Sequence, residues 1–348
     1  MTNAKGGNRV RQWLIGWLLL TGMGWLALSS GLAGQEMKVG YFPNITHAQA
    51  VIGMADGTFH KALGSGVAVK KYIFNAGPSV IEAMMAGHLD LAYIGPNPAI
   101  NGYIRTQGKL LKIVAGAASG GASLVLRSDL RITSPKQLSG LKLASPQIGN
   151  TQDVALRYYL MSHGLKPVQQ GGTVHVLPVP NPDQLNLLQR KEIDGAWTVE
   201  PWVSRLVAEA RGVIYVDERS LWDKGQFVTA NIIVSQKFLK NYPGLVKKWL
   251  KAHVELTQRI DGDPERYQKM LNRELHAITS ASLPENIIKQ AFSRFELTWD
   301  PAMKTLFISA DRAYRLGFLG KDKPHLEKIY DLTLLNQVLK EKRLPVIQ

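Results

Sequence analysis

Residues 67–105 read VAVKKYIFNAGPSVIEAMMAGHLDLAYIGPNPAINGYIR. Val67 to Phe74 is rich in β-branched and aromatic residues and reads as a strand, broken by Asn75-Ala76-Gly77-Pro78. Ser79 then caps a helix over Val80 to Ala86 that stops at Gly87. Leu89 to Ile94 is a short apolar run ending at Gly95-Pro96, and Asn97 to Arg105 is helical. Strands that alternate with helices imply parallel pairing in an α/β sheet. In open sheets of that kind the ligand crevice lies outside the carboxyl ends of the strands. The loops after these strands, rich in Gly, Pro, Asn and Ser, are therefore expected to line one cleft.

Working outward, Met37 to Phe42 reads as a strand, Ala48 to Met54 as an apolar helix and Lys112 to Ala118 as another buried strand. The pattern then restarts. Strands are expected at Ser123–Leu126, Lys142–Ala144, Val174–Val179, Ile193–Thr198 and Val213–Val216. Helices are expected at Thr151–His163, Asp183–Arg190 and Pro201–Ala210. After a strand at Ile232–Val234 the chain is mostly helical, and Pro243–Ile260 places Leu245, Trp249, Leu250, Val254 and Leu256 near helical spacing. This tail is expected to pack on the first unit. The two units share an order of elements and no convincing sequence repeat.

A chain of 348 residues exceeds one ordinary core and suits two domains. The composition, 45% hydrophobic and 20% charged, is that of a globular protein. The net charge of +15 is scattered, without a dense basic block interleaved with aromatics, so no nucleic-acid partner is expected. The absence of cysteine excludes disulfides, thiolate metal sites and a lipidated N-terminal Cys.

Lys5, Arg9 and Arg11 precede an apolar run from Trp13 to Leu28 and then Ser29, Ser30, Gly31, Ala33 and Gly34. This is the pattern of a signal peptide over residues 1–34, cleaved on export. Its loss would take three positive charges and no acids, leaving 15 − 3 = +12. Periplasmic localisation is expected, and no later stretch is long and apolar enough to span a bilayer.

Several segments, in order, resemble the substrate-binding proteins of the nitrate/sulfonate/taurine class of importers. Met37-Lys38-Val39-Gly40-Tyr41-Phe42-Pro43 is similar to the family's opening strand and loop. Ala76-Gly77-Pro78-Ser79 with Ala86-Gly87-His88-Leu89-Asp90 resembles its second loop and next strand entry, and Ile94-Gly95-Pro96-Asn97-Pro98 its third loop. Leu138-Ser139-Gly140-Leu141-Lys142-Leu143-Ala144 and Ile193-Asp194-Gly195-Ala196 with Glu200-Pro201-Trp202 resemble elements of its second lobe. The likeness covers most of residues 37–260. Lys191-Glu192 stands where the family has Gly, and Glu200 where Asp is commoner.

The resemblance implies an α/β, two-lobed periplasmic-binding-protein fold (type II), each lobe a mostly parallel sheet flanked by helices. Lobe one is expected over 35–121 plus 228–348 and lobe two over 122–227. Ser119-Gly120-Gly121-Ala122-Ser123 marks the crossover and Gln226 to Thr229 the return. The implied function is to capture a small anion by lobe closure and deliver it, as a monomer, to an ABC permease in the inner membrane. An aliphatic sulfonate or taurine is the first candidate. Nitrate, bicarbonate and a pyrimidine thiamine precursor are the alternatives. A contrasting reading is an enzyme of the same fold, like a menaquinone-pathway dehydratase; the export signal and the lack of a recognisable acid–base pair argue against it. A ligand sensor is a third class. No catalytic residue, metal or cofactor is expected.

Small anions are held by helix N-termini, whose first N–H groups lack partners and whose dipole favours negative charge. Three loop-to-helix junctions suit this: Asn44-Ile45-Thr46-His47, Gly77-Pro78-Ser79 and Gly149-Asn150-Thr151. Ordinary N-capping uses the same residues. Asn97 and Thr229 are expected as further polar contacts, Trp197 as cover for an apolar ligand body, and Glu200 as a partner for a ligand amine or a hinge salt bridge. Arg157 is expected on a solvated helix face.

Overall fold

Strands buried on both faces read as continuous apolar runs, and Leu91–Ile94 and Gly195–Val199 are buried at every position. The computed structural model describes residue 1 and residues 35–348. Strands are numbered along the chain. One sheet runs in the order β11 (Phe295–Leu297), β4 (Leu111–Gly120), β10 (Val228–Ser235), β3 (Leu91–Ile94), β1 (Gln35–Tyr41), β2 (Val67–Ile73). The other runs β7 (His175–Pro178), β6 (Lys142–Ser145), β8 (Gly195–Val199), β5 (Ala122–Arg127), β9 (Gly212–Asp217). Both sheets lie within one unit, Glu36–Gln348. The signal segment expected at 1–34 lies, apart from Met1, outside the described residues.

The fold is the α/β, two-sheet architecture expected, with one refinement. β1 is parallel to β3, and β6 to β7 and β8. β10 is antiparallel to β3 and β4, β11 to β4, and β5 to β8 and β9. The sheets are mixed because β5 and β10 are the strands on which the chain arrives from the other lobe. At the crossover β4 ends at Gly120 and β5 begins at Ala122. Gly120 and Gly121 both take positive φ, 81° and 80°, a conformation that L side chains rarely adopt.

The two lobes use one matched device. Asp90 Oδ2 accepts from the Lys38 backbone N–H, and Asp194 Oδ2 from the Lys142 N–H, both at 2.8 Å. In return the Asp90 and Asp194 N–H groups donate to the Lys38 and Lys142 carbonyls. Each aspartate thus ties the entry of one parallel strand to its neighbour. These acids of the sequence motifs are structural.

The helices Ala48–Ala55, Pro243–Gly262 and Pro264–Thr279 cover one face of the first sheet, where Phe59 and Trp249 stack with ring centroids 3.7 Å apart. Met303–Arg315 and Pro96–Arg105 cover the other face. The short strand β11 carries too few residues to show a period, and it was not expected. Among the described residues no helix is long and apolar enough to cross a membrane.

Beneath the first sheet lies a closed chain of hydrogen bonds. Trp249 Nε1 donates to the Tyr93 hydroxyl at 3.3 Å, Tyr93 contacts His253 Nδ1 at 3.1 Å, and His253 Nε2 lies 3.0 Å from the Gly116 carbonyl. The Gly116 oxygen can only accept, so Nε2 carries the proton and Nδ1 receives the Tyr93 hydroxyl. Burial lowers the His253 pKa from 6.5 to about 4. The unfolded chain therefore takes up the proton first. The stabilisation is complete above pH 6.5 and declines as pH falls toward 4. Between pH 7 and pH 5 this group should cost about 2 kcal/mol of stability. Urea unfolding at the two pH values, with His253→Gln as the control that removes this share of the loss, checks it.

Candidate functional site

The carboxyl ends of the inner strands in both sheets face a small cavity of about 30 Å³ between the lobes. First-turn or capping residues of four helices line it: Gly77 of Gly77–Met85, Gly95 before Pro96–Arg105, Asn150 and Thr151 at Thr151–Ser162, and Asn181 of Asn181–Gln189. Asn44, Thr46 and His47, ahead of the Ala48–Ala55 helix, complete one wall. Positive helix ends from both lobes thus converge on one point.

The side chains there are arranged to donate. His47 Nδ1 accepts from the Phe42 N–H at 3.2 Å, so the ring proton sits on Nε2. Burial pushes the His47 pKa down to about 3, so the ring is neutral. Asn44 Oδ1 accepts from Trp202 Nε1 at 3.2 Å, and Asn150 Oδ1 caps its helix by accepting from the Asp153 N–H at 2.8 Å. Both partners can only donate, which fixes each amide with its oxygen turned to protein and its NH2 available. Asn181 Oδ1 is likewise taken, by the Thr198 hydroxyl at 2.9 Å. The Thr151 hydroxyl is buried and has no partner within the protein. His47 is the one titratable group among the described residues that line the cavity.

Nearby charges are neutralised in pairs. Asp153 accepts from the Ser145 hydroxyl, the Gly149 N–H and Arg157 Nε at 2.8, 2.9 and 2.9 Å. Arg157 is accordingly buried against Asp153 and Phe318, not on the solvated face expected for it.

The lobes meet directly. A Cβ added at Gly95, in the first lobe, would sit 2.3 Å from Thr151 Oγ1 in the second. Trp202 reaches Asn44 across the mouth. On the hinge side Arg294 Nη1 contacts Glu200 Oε1 at 3.0 Å and the Ser204 hydroxyl at 2.9 Å. Burial raises the Glu200 carboxyl above its ordinary range although Ser204 and Arg294 oppose the shift.

Of the residues expected at the site, Asn44, Thr46, His47, Gly77, Asn150, Thr151 and Thr229 line the cavity together. The Thr229 hydroxyl donates to the Gly120 carbonyl, tying the return strand to the crossover. Five others stand elsewhere. Ser79 is not a cap: the helix begins at Gly77 after Ala76, so Ser79 sits inside its first turn. Asn97 Nδ2 donates to the Ser309 carbonyl at 3.3 Å and serves packing of the Met303–Arg315 helix. Gly149 does not line the cavity; it shapes the turn with φ 75°. Trp197 is fully buried in the second lobe, bonded to Glu218 at 2.7 Å, and does not line either cavity. Glu200 is committed to Arg294, the hinge-salt-bridge option considered for it. Asn75, Gln152 and Asn181 were missed. Asn181 follows the end of β7 and opens a helix, a position the rule about carboxyl ends of strands covers.

A second cavity of about 440 Å³ adjoins the first and shares Phe42, Asn44, Asn75 and Asn181 with it. Leu185, Trp202, Leu275, Ile278 and Leu283 form much of its wall.

Two sheets joined by two crossings of the chain around a polar cleft define a two-lobed α/β fold. The fold overlays on the periplasmic nitrate-binding protein NrtA from Synechocystis PCC 6803 with a TM-score of 0.71, at 16% identity over 90% of each chain. It overlays on the alkanesulfonate-binding protein SsuA from Xanthomonas axonopodis pv. citri bound to MOPS with a TM-score of 0.68, at 16% identity over 82% of this chain and 94% of that one. The sequence is 27% identical over 242 residues to the taurine-binding periplasmic protein of Escherichia coli (strain K12), covering 70% of this chain and 68% of that protein. Residues 31–273 match the model of the NMT1-like family, and the chain belongs to that family.

Removing one partner of a buried ion pair leaves the other charge without compensation. Arg294→Met should therefore destabilise the protein by about 3 kcal/mol, and adding Glu200→Gln to it should recover part of that loss. Urea denaturation of the two variants beside the parent checks both statements.

Proposed function

We propose that the protein is the extracytoplasmic solute-binding component of an ABC importer and captures a small oxyanion between its lobes, with an aliphatic sulfonate as the leading ligand. The observation that carries this reading is the donor bias of the cavity. The acceptor sides of Asn44, His47, Asn150 and Asn181 are occupied by protein groups, and four helix N-termini converge there. Such a site suits a molecule that presents several acceptor oxygens and a negative charge. The unpartnered Thr151 hydroxyl offers a further contact.

Neutral donors suffice because the site is buried, where hydrogen bonds to a charged group are strong. The likeness to the taurine-binding protein and to the alkanesulfonate-binding protein supports a sulfonate. The small volume of the inner cavity keeps nitrate or bicarbonate as a second reading. A pyrimidine ligand is a third reading: Trp197 lies in the core, and Trp202, which lines the adjoining chamber, is the indole left to stack on a ring. Catalysis has little support: among the described residues lining the cavity the one titratable group is a histidine held neutral by burial. On this reading the partners are an inner-membrane permease and its ATPase, and the chain acts as a monomer in the periplasm after losing residues 1–34.

A thermal-shift panel of methanesulfonate, longer alkanesulfonates, taurine, nitrate, sulfate, bicarbonate, phosphonates and pyrimidines tests the reading. A ligand at a hundred times its Kd stabilises by about 2.7 kcal/mol. Stabilisation by sulfonates is the expected outcome, and response to pyrimidines alone would overturn it. Thr151→Val, which keeps the shape and removes a hydroxyl that bonds nothing in the protein, should leave the unfolding midpoint unchanged or raised. It should weaken binding of the stabilising anion about tenfold or more. Gly95→Ala keeps an ordinary backbone conformation, φ −68°, but sets a methyl against Thr151. It should weaken binding by about tenfold to a hundredfold, because closing the lobes against that methyl costs about 1–3 kcal/mol. Titration calorimetry with each variant checks both.

A further inference from the structure

The inner cavity holds about 30 Å³, room for a compact head group and no more. Any larger ligand must extend into the adjoining cavity of about 440 Å³, a volume in the range that holds small organic molecules. The two spaces share Asn44 and Asn75 at their junction, so a molecule seated in the first points its remainder into the second. We infer that this outer chamber is a second subsite that binds an uncharged, apolar tail, so that the protein selects longer alkyl or aryl sulfonates over taurine. The inference rests on the oxyanion reading of the inner cavity.

The walls carry the argument. Leu185, Trp202, Leu275 and Leu283 are buried, and Ile278 is half-buried among them. Among the described residues lining either cavity there is no carboxylate. The rim, with Asn75, Asn186 and Thr279, is exposed, but the cationic end of taurine would find no counter-charge in the chamber, and set against the buried apolar walls it is unfavourable where an alkyl group is not. The one charged lining residue, Arg205, is already engaged. Its Nε and Nη2 meet the two Glu209 oxygens at 2.7 and 3.0 Å, and its guanidinium lies 4.8 Å from the Trp202 ring centre. It is neutralised and held in place, so the chamber makes no demand for a second charge on the tail. Both lobes contribute, Leu185 and Trp202 from the second and Leu275, Ile278 and Leu283 from the first. Burying a tail between them therefore adds to the attraction that holds the lobes together.

The test is titration calorimetry of the purified protein with methane-, ethane-, propane-, butane- and hexanesulfonate, benzenesulfonate, taurine and nitrate. Each added methylene should tighten binding about threefold to fourfold until the chamber is filled. Propane-1-sulfonate, close in shape to taurine, should bind about tenfold or more tightly than taurine. Ile278→Ser should lower the ratio of hexanesulfonate to methanesulfonate affinity, and the chain-length series on the parent stands if that variant folds poorly. Affinity that is flat or falls with chain length, or taurine binding as well as propanesulfonate, would overturn the subsite while leaving the oxyanion reading intact. Nitrate binding without any sulfonate would also overturn it. Failure of every anion in the series, methanesulfonate and nitrate included, would remove the oxyanion reading and the subsite together.

Discussion

The second lobe reaches the first through a contact that tolerates no side chain. Gly95 stands at the end of β3, and the Thr151 hydroxyl occupies the space its Cβ would take. Everything else at the site depends on this approach. It brings the N-terminus of the Thr151–Ser162 helix over those of Gly77–Met85 and Pro96–Arg105, and it lets Trp202 span the mouth to Asn44. Held one methyl further apart, the same residues would face water across an open groove, where a dipole or a neutral amide does little for an anion.

The chemistry of the cleft is set by bonds that point away from it. Asn150 caps its own helix, His47 accepts from the backbone of the first loop, and Asn44 receives the indole of the opposite lobe. Each of these does structural work with its acceptor atom, and each is left with a hydrogen to give. Capping and recognition are therefore complementary uses of the same side chain. Formal charge is kept off the cavity wall by pairing: Asp153 with Arg157, and Glu200 with Arg294.

The fold was largely legible because each buried strand and each helix start carries local marks. Leu91–Ile94 ends at Gly-Pro, and Thr151–Ser162 begins after Gly-Asn. The junctions were legible for the same reason, and Asn44, Thr46, His47, Gly77, Asn150, Thr151 and Thr229 do gather at one place. Orientation was not legible. Nothing local distinguishes Trp197, which points into the second core toward Glu218, from Trp202, one turn of chain later, which lines the outer chamber. Nor does Glu200 reveal that Arg294, 94 residues away, will claim it. The direction of β5 and β10 was hidden too, because strand polarity follows from where the chain has been and not from the residues in the strand.

That polarity has a kinetic side. β10 lies in the middle of its sheet, between β3 and β4, yet it follows β4 only after the whole of the other lobe has intervened. The first sheet cannot be completed until a loop of roughly a hundred residues has closed, and the entropy of closing a loop grows with the length of flexible chain in it. The second lobe, formed from one continuous segment, can condense on its own and draw the ends of that loop together. Its β5 and β9 are neighbours, so its two exits emerge side by side, next to where β4 and β10 must pair. The inserted lobe thus acts as a built-in clamp on the long-range contacts of its host, and the stability lost by weakening its core should fall mainly on the folding rate and little on the unfolding rate.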